Sequence, residues 1–364
     1  MDGYVTKSRE LYYLRLLHEN PPVSPYVSRG TKQDLIDIAE PHVHVDKELL
    51  RLASLVIDRG ESRFLPIVGG TGMGKTHLYW AIKSLGKRHT STPYRCVYVP
   101  PPSSPSRIGI QVYTPFVEEM GSSHFVFCVK HAFAKAGLRG IKSLHLNYAE
   151  HLTRLKNAFP RYSGDLLAVV ARYGTDSKLR PIALRWLLGH HLHAKEREKL
   201  QVDKCLDDDR TALDTLCLLI ESSPVPIVFY FDEMESPFRT LDENGQEQFL
   251  SFIRLLSKKS QNAIIICACL DEIWKSIEST IIPSEDNISV EPVELIPFTV
   301  DHLREYVGSF MSAYWMNQGV DIPEDEIYPF SDNDIKTIFQ ISNGNPRNII
   351  RIVHEVLEFK LIRT

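Results

Sequence analysis

A stretch of eight residues near position 70 combines four glycines with a lysine and a hydroxyl side chain at a spacing suited to binding phosphate. Glycines let the backbone bring several N–H groups close to an anion, and a following helix adds the positive end of its dipole. The lysine would reach the β- and γ-phosphates of a nucleotide, and the threonine hydroxyl would ligate Mg²⁺. An apolar run precedes the stretch and a helical pattern follows it, so the predicted contacts are Gly69, Gly70, Thr71, Gly72, Met73, Gly74, Lys75, Thr76 and His77.

A pair of acids follows a second apolar run, Pro226–Phe231, whose continuous apolar character predicts a strand covered on both faces of a parallel sheet. Asp232 would hold Mg²⁺, directly or through water. Glu233 would polarise the water that attacks the γ-phosphate. Glu235 competes for the role of base, but it lies beyond the expected strand end. About 155 residues separate these acids from the glycine-rich loop, and together the two motifs predict ATP as substrate and Mg²⁺ as cofactor.

The remaining pattern alternates strands with helices, which predicts an α/β fold with a parallel sheet. Further strands are predicted at Arg95–Val99, Ala263–Leu270 and Ile288–Leu295. After Pro297 the pattern becomes helical only, which predicts a small all-α domain over residues 298–364. Residues 1–45 are predicted to be an extension with short helices at Leu11–Leu17 and Lys32–Ala39. The extension either docks on the core or a neighbour, or forms a partly mobile tail.

Bulk composition points to a soluble intracellular protein. Apolar residues make up 43% of the 364 residues and charged residues 24%, so the chain can bury a sizeable core. No apolar run approaches the roughly 20 residues that a membrane-spanning helix needs, and no signal peptide is evident. The six cysteines form no Cys-x-x-Cys pair and are expected to be reduced. The expected location is the cytoplasm, or the nucleoid if DNA is the partner.

Charge is unevenly distributed along the chain. Residues 130–204 contain 15 Lys and Arg against 6 Asp and Glu, a net charge of +9, so the rest must carry −13 to give the total of −4. A basic segment on an acidic protein indicates either a nucleic-acid surface or a solvated helical face whose acidic partners lie elsewhere. The candidate phosphate contacts are Arg154, Lys156, Arg161, Arg172, Lys178, Arg180 and Arg185.

These motifs together resemble an AAA+ P-loop ATPase. The glycine-rich loop matches the Walker A motif, Asp232-Glu233 matches Walker B, and Gly344-Asn345-Pro346-Arg347 opens a helix of the predicted lid domain. The chain is most similar to the origin-recognition and replication-initiator group and to related transposition regulators, over about residues 46–360. The resemblance implies that Arg347 is the sensor 2 arginine that leans onto the γ-phosphate, a task that suits a permanent, forked cation.

The resemblance also implies a domain plan. Residues 46–297 would form the α/β nucleotide-binding domain, and about 125 residues between Val99 and Pro226 leave room for a helical insertion at about 122–222. The initiator group places a DNA-contacting insertion in this interval, and the basic segment falls there. This makes the insertion the predicted surface for DNA or another partner.

The sequence departs from the AAA+ pattern in three places. The sensor 1 position reads Cys269 or Asp271 instead of a small polar residue, and no arginine occurs between Leu270 and Thr299, where the arginine finger usually lies. No winged-helix domain is evident after the predicted lid.

Two functions follow as expectations. The first is a slow, partner-stimulated ATPase switch that binds ATP and ADP and controls assembly as a homo-oligomer or with DNA or a protein. The alternative is a signalling or defence ATPase, or an ATP-bound scaffold subunit, that acts through protein assembly with little turnover.

Overall fold

The computed structural model describes residues 2–22, 36–138, 147–282 and 291–363. Its central feature is a five-stranded sheet with the order β2-β3-β4-β1-β5. The α/β fold with a parallel sheet, predicted from the alternating pattern, is therefore confirmed. The strands are β1 (Arg63–Val68), β2 (Arg95–Val99), β3 (Ile227–Phe231), β4 (Ala263–Cys269) and β5 (Val293–Glu294).

The pairings of the four longer strands are parallel and in continuous register. Phe231, the last residue of β3, pairs with Cys267 of β4, and Val68, the last residue of β1, pairs with Cys269. Every residue of β3 and β4 is buried, as a strand covered on both faces requires. Because all four strands run the same way, the carboxyl ends of β1 and β3 lie at the same edge of the sheet.

Helices account for most of the remaining described chain. Side-chain caps begin several of them: Asp208, Thr299 and Ser331, for example, each accept a hydrogen bond from a backbone N–H in the first turn. In chain order the helices are α1 (Asp2–Glu19), α2 (Val43–Arg59), α3 (Lys75–Arg88), α4 (Ile108–Lys135), α5 (Tyr148–Ala158), α6 (Gly164–Thr175), α7 (Arg180–Leu187), α8 (Ala194–Leu200), α9 (Asp209–Glu221), α10 (Pro237–Thr240), α11 (Glu243–Lys259), α12 (Asp271–Ile281), α13 (Val300–Asn317), α14 (Asp332–Ser342) and α15 (Pro346–Arg363).

Several elements differ from the prediction in extent. Helix α1 is longer than the expected Leu11–Leu17. Of the expected helix Lys32–Ala39, residues 32–35 lie outside the described chain, and residues 36–39 are not helical. The apolar stretch Phe125–Ala136 belongs almost entirely to α4. This long element passes through the predicted start of the insertion at 122, and it kinks at Gly121, where the backbone has φ 66° and ψ 171°.

The fifth strand is shorter than expected. It covers only Val293–Glu294 of the predicted Ile288–Leu295, and residues 288–290 lie outside the described chain.

The described chain divides into two compact units. One contains residues 47–68 and 82–293, and the other contains residues 1–46, 69–81 and 294–364. The first unit has a core formed by the sheet together with the helices between β2 and β3; the insertion thus shares the core of the sheet. Trp186 and Trp274 are buried in this core.

The second unit has its own core, to which α1 contributes. Tyr13 of α1 packs edge-on against Trp315 of α13, with ring centroids 5.1 Å apart. The Tyr314 hydroxyl donates to the carbonyl of Asn20 at 2.8 Å and to that of Leu16 at 3.1 Å. The described part of the N-terminal extension is therefore docked on the C-terminal helices.

All six cysteines are free and buried. No helix in the described ranges is long and apolar enough to cross a bilayer.

Candidate functional site

The glycine-rich stretch forms the predicted loop between a strand and a helix. It leaves β1 after Val68 and enters α3 at Lys75. Gly72 and Gly74 adopt φ of 81° and 92°, a left-handed conformation that side chains with a Cβ avoid. The glycines at these two positions are therefore required by the backbone path. The geometry agrees with a loop that turns its backbone toward a bound anion.

Lys75 lies at the start of α3 and is buried. Its ammonium donates to the carbonyl of Gly69 at 2.6 Å and to that of Gly70 at 3.2 Å. These contacts hold the amine within the loop itself, where a phosphate bound to the loop would meet it. Lysine suits this position as a compact point charge on a flexible stem.

The turn that precedes α15 packs against the glycine loop. The Arg347 backbone N–H donates to the Gly72 carbonyl at 3.2 Å, and the Asn345 side-chain amide donates to the Thr71 carbonyl at 2.9 Å. A Cβ placed on Gly72 would lie 2.7 Å from Asn345 Oδ1 and 2.9 Å from Arg347 Cβ. The structure therefore brings the predicted sensor arginine directly beside the predicted phosphate loop.

The Arg347 side chain is exposed beside this contact. Its guanidinium forms no hydrogen bond or ion pair with the residues that the structure describes. The turn itself depends on Gly344, which has φ 72° and whose position leaves no space for a Cβ, since one would lie 2.5 Å from the Phe298 carbonyl oxygen. The backbone thus fixes where the arginine begins, while its charged end remains available to an anion.

A cluster of four titratable side chains connects the N-terminal segment to His77, the residue after the glycine loop. An Asp37 carboxylate oxygen lies 2.9 Å from His77 Nε2 and 3.0 Å from His42 Nε2, while His42 Nδ1 lies 3.3 Å from Asp46. Burial acts to lower the pKa of His42, but hydrogen bonds to the two aspartates outweigh it and raise the pKa to about 9. Burial also acts to raise the pKa of Asp37, yet the hydrogen bonds from both histidines hold it well below its ordinary value.

We expect this cluster to make stability depend on pH above neutrality. A histidine whose folded pKa is raised stabilises the folded state fully below its unfolded pKa of about 6.5, and this contribution is lost as pH rises through about 9. His42→Gln should remove at most about 3 kcal/mol of stability at pH 6 and much less at pH 10. Denaturant unfolding of both proteins at each pH measures the difference, and equal losses at both pH values would contradict the assignment.

Asp232 lies immediately after β3 with its carboxylate buried and oriented. Its Oδ2 accepts a hydrogen bond from the Tyr98 hydroxyl at 3.0 Å, and its Oδ1 accepts one from the Glu233 backbone N–H at 2.9 Å. Only 2% of Asp232 is exposed. A carboxylate held in this way keeps lone pairs directed for a cation, which is the role the sequence predicted.

Glu233 is exposed because the backbone changes partner strands around it. The Asp232 N–H donates to Val99 on β2, whereas the Met234 N–H donates to Ala268 on β4, each at 3.2 Å. Met234 is fully buried, and Glu233 between the two anchored residues has φ 49° and turns outward. A non-glycine residue in the left-handed region is unusual and often marks a functional site.

Glu235, the alternative base, and the two residues at the sensor 1 position, Cys269 and Asp271, occupy different environments. Glu235 is partly buried, and its Oε2 is buried without a hydrogen-bond partner in the described part of the chain. Cys269 is the last residue of β4 and is fully buried, while Asp271 begins α12 and forms an ion pair with Lys275. Lys275, the one cation that the sequence offers between Leu270 and Thr299, is therefore already engaged by its own helix.

The structure assigns intramolecular partners to most of the predicted DNA contacts. Arg161 pairs with Glu221, Arg185 with Glu196 at 2.7 Å, and Arg172 stacks 3.5 Å over the ring of Tyr148. In addition, Arg180 donates to the Tyr173 carbonyl at 3.0 Å, and Arg154 donates to the Gly137 carbonyl at 3.4 Å. Lys156 and Lys178 remain without side-chain partners in the ranges described. Five of the seven predicted contacts thus have partners within the insertion, and two of those partners are carboxylates.

Sequence reasoning missed Tyr98, Asn345 and Asp37. Tyr98 lies one residue before the end of β2, where only knowledge of which strands are neighbours could relate it to Asp232. Asn345 lies two residues before Arg347, so the predicted position of Arg347 beside the phosphate loop also placed Asn345 near that loop. Asp37 gave no local signal, because its partner His77 is distant in the sequence.

Comparison with known proteins gives no match: no protein-family model fits the chain, and no curated protein matches its sequence.

Proposed function

We propose that this chain is an ATP-binding and ATP-hydrolysing switch of the AAA+ type, whose nucleotide state controls assembly with DNA or a protein. The observation that carries the proposal is the contact between the glycine loop and the turn before α15, where Arg347 N–H donates to Gly72 and Asn345 donates to Thr71. A phosphate bound by this loop would lie beside a permanent cation that no described residue neutralises.

The proposed roles follow from the chemistry of each group. Lys75 and the loop N–H groups would bind the β- and γ-phosphates, and Glu233 would orient the attacking water. Thr76 is the Mg²⁺ ligand that we assign to the loop, and Asp232 is the one that we assign to the end of β3. Bound Mg²⁺ would neutralise the charge of the phosphates. The buried, hydrogen-bonded carboxylate of Asp232 fits this role.

Arg347 would make the conformation of the protein depend on whether ATP or ADP is bound. Its guanidinium can pair with a γ-phosphate but loses that partner once only ADP remains, so ATP and ADP would bind with different contacts. Because the Arg347 backbone is hydrogen-bonded to the loop, loss of the γ-phosphate would also shift α15 and the helices packed with it. Differential contacts of this kind are what a ligand needs to shift a conformational equilibrium.

Steady-state ATP turnover tests the proposal directly. We expect the wild type to hydrolyse ATP slowly, and Lys75→Ala to reduce turnover to the background because the phosphate loses its principal cation. The assay is run at low salt with and without duplex DNA, and circular dichroism checks that the variant is folded. A wild type that neither binds nor hydrolyses ATP would refute the proposed function.

A second candidate function is an ATP-bound assembly protein with little turnover. It is favoured by the absence of an arginine between Leu270 and Thr299, together with the ion pair that occupies Lys275. An ordinary neighbouring subunit would then lack the cation that stimulates hydrolysis. Tight ATP binding with no turnover, unchanged by DNA, would select this second function over the first.

A further inference from the structure

A large basic cleft lies in the unit that contains the sheet, at the edge where the strands begin. Its volume is about 1240 Å³. Arg63, the first residue of β1, and Ser260 and Gln261, which precede β4, form part of its wall. The glycine loop leaves the opposite end of β1, and six residues of strand at about 3.3 Å each separate the two ends by roughly 20 Å. The cleft is therefore not part of the predicted ATP site.

Among the residues that the structure describes, six cations line this cleft against three carboxylates. They come from α2, β1, the insertion and α11, namely Arg51, Arg59, Arg63, Arg161, Arg254 and Lys258, and the carboxylates are Glu48, Glu61 and Glu291. The lining therefore has a formal surplus of three positive charges.

Half of these cations are already paired. Arg51 binds Glu48 through two hydrogen bonds of 2.6 and 2.8 Å, Arg63 lies 2.7 Å from Glu61, and Arg161 pairs with Glu221. Such pairs hold the arginine side chains in defined positions. Because Glu221 lies outside the lining, three of the described cations remain unpaired against one carboxylate, Glu291, which leaves a local surplus of two positive charges.

The unpaired cations are Arg59, Arg254 and Lys258. None of them has an ion pair or a side-chain hydrogen bond with the residues in the described ranges. Arg254 and Lys258 are four residues apart on α11 and so project from the same face of that helix. Like charges at this spacing destabilise a helix, which makes their presence costly unless an anion binds between them.

Hydrogen bonds hold the floor of the cleft in place. The Ser62 hydroxyl donates to the Ser260 carbonyl at 2.9 Å, and it accepts from the Ala263 N–H at 3.3 Å. These bonds join the start of β1 to the start of β4.

We propose that this cleft binds the phosphodiester backbone of a nucleic acid. Its volume exceeds the roughly 300–1,000 Å³ of typical small-molecule sites, and its cations are spread over four elements instead of converging on one point. Dispersed cations suit a row of phosphates, as in grooves that track a nucleic-acid backbone. The anion site stands independently of ATP binding, whereas the regulation of nucleic-acid binding by nucleotide rests on the proposed function.

Binding of a fluorescent duplex DNA to the full chain, measured by anisotropy without nucleotide, tests the inference. We expect Arg59→Ala/Arg254→Ala/Lys258→Ala to weaken binding at least about 10-fold at low salt. It should also reduce the slope of log K against log salt by about 3, since each phosphate contact contributes about 0.9. Arg254→Lys/Lys258→Arg keeps the charges and should bind like the wild type.

The matched control removes the same charge from the insertion. Arg154→Ala/Lys156→Ala/Lys178→Ala should change duplex affinity by far less than the cleft variant does. Equal losses in the two triple variants, or an unchanged affinity in a folded cleft variant, would overturn the inference. So would an absence of duplex binding in the wild type, or binding only to vesicles that contain phosphatidylserine.

The Lys75→Ala protein separates this inference from the proposed function. Duplex binding that persists in this variant, and in a wild type without ATP turnover, would support the cleft while refuting the ATPase. Turnover that depends on Lys75 in a protein without duplex binding would support the ATPase and refute the nucleic-acid site in the cleft.

Discussion

Glu233→Gln should reduce ATP turnover by at least about 100-fold while leaving ATP bound, because the amide cannot accept a proton from the attacking water. Glu233 is exposed and has φ 49°, between Asp232 and Met234, whose N–H groups are bonded to different strands. Glutamine has the same shape and tolerates the same backbone, so the fold should be unaffected. Single-turnover hydrolysis and a separate equilibrium binding assay measure the two effects independently.

Glu235→Gln is the matched control, since it makes the same chemical change two residues away. Glu235 has a buried oxygen without a partner among the described residues, and we expect its substitution to change turnover only slightly. If the Glu235 variant lost turnover and the Glu233 variant retained it, the base would be Glu235 and the assignment made here would be wrong.

Gly72→Ala should disrupt both the glycine loop and its contact with the turn before α15. The alanine Cβ would meet Asn345 Oδ1 at 2.7 Å and Arg347 Cβ at 2.9 Å, and φ of 81° adds about 1–2 kcal/mol of backbone strain. Relief of the clash would move the loop away from its phosphate-binding shape. We expect ATP affinity to fall at least about 10-fold, together with a loss of about 2–4 kcal/mol in unfolding free energy. Isothermal titration and denaturant unfolding measure these two effects.

Gly319→Ala separates the steric clash from backbone strain. Gly319 belongs to the same compact unit and has φ 70°, yet a Cβ there would have no heavy atom within 4 Å. This variant should lose only the strain of about 1–2 kcal/mol and should bind ATP normally. Equal effects of the two substitutions on ATP affinity would show that the contact between Gly72 and the Asn345–Arg347 turn has no role in binding.

The parts of the fold that could be predicted are those with a strong local pattern. β2 has the predicted bounds, Arg95–Val99, and β3 and β4 lie within one residue of their predicted ends. Their continuous β-branched and aromatic runs are typical of buried strands. The glycine loop was predictable for a related reason, since the positive φ values of Gly72 and Gly74 restrict those positions to glycine.

Contacts between distant segments could not be predicted in this way. Tyr98 meets Asp232 only because β2 and β3 are neighbours in the sheet, and Asp37 meets His77 across 40 residues of sequence. The partners of the basic insertion were hidden for the same reason, as the pairing of Arg161 with Glu221 shows. Composition gave the net charge of the segment correctly but could not show which charges were already neutralised within the fold.

The packing of Tyr13 against Trp315 has a consequence for synthesis on the ribosome. The two rings are separated by about 300 residues, which take roughly 15–60 s to translate at 5–20 residues per second. Helix α1 must therefore wait until α13 has left the ribosome before it can bury its apolar residues. The loop that contacts Asn345 and Arg347 waits still longer, whereas every strand of the sheet up to β4 has already emerged. Competence to bind a nucleotide would then arrive at the last stage of folding, and the newly made chain would not bind ATP before its C-terminal helices are in place.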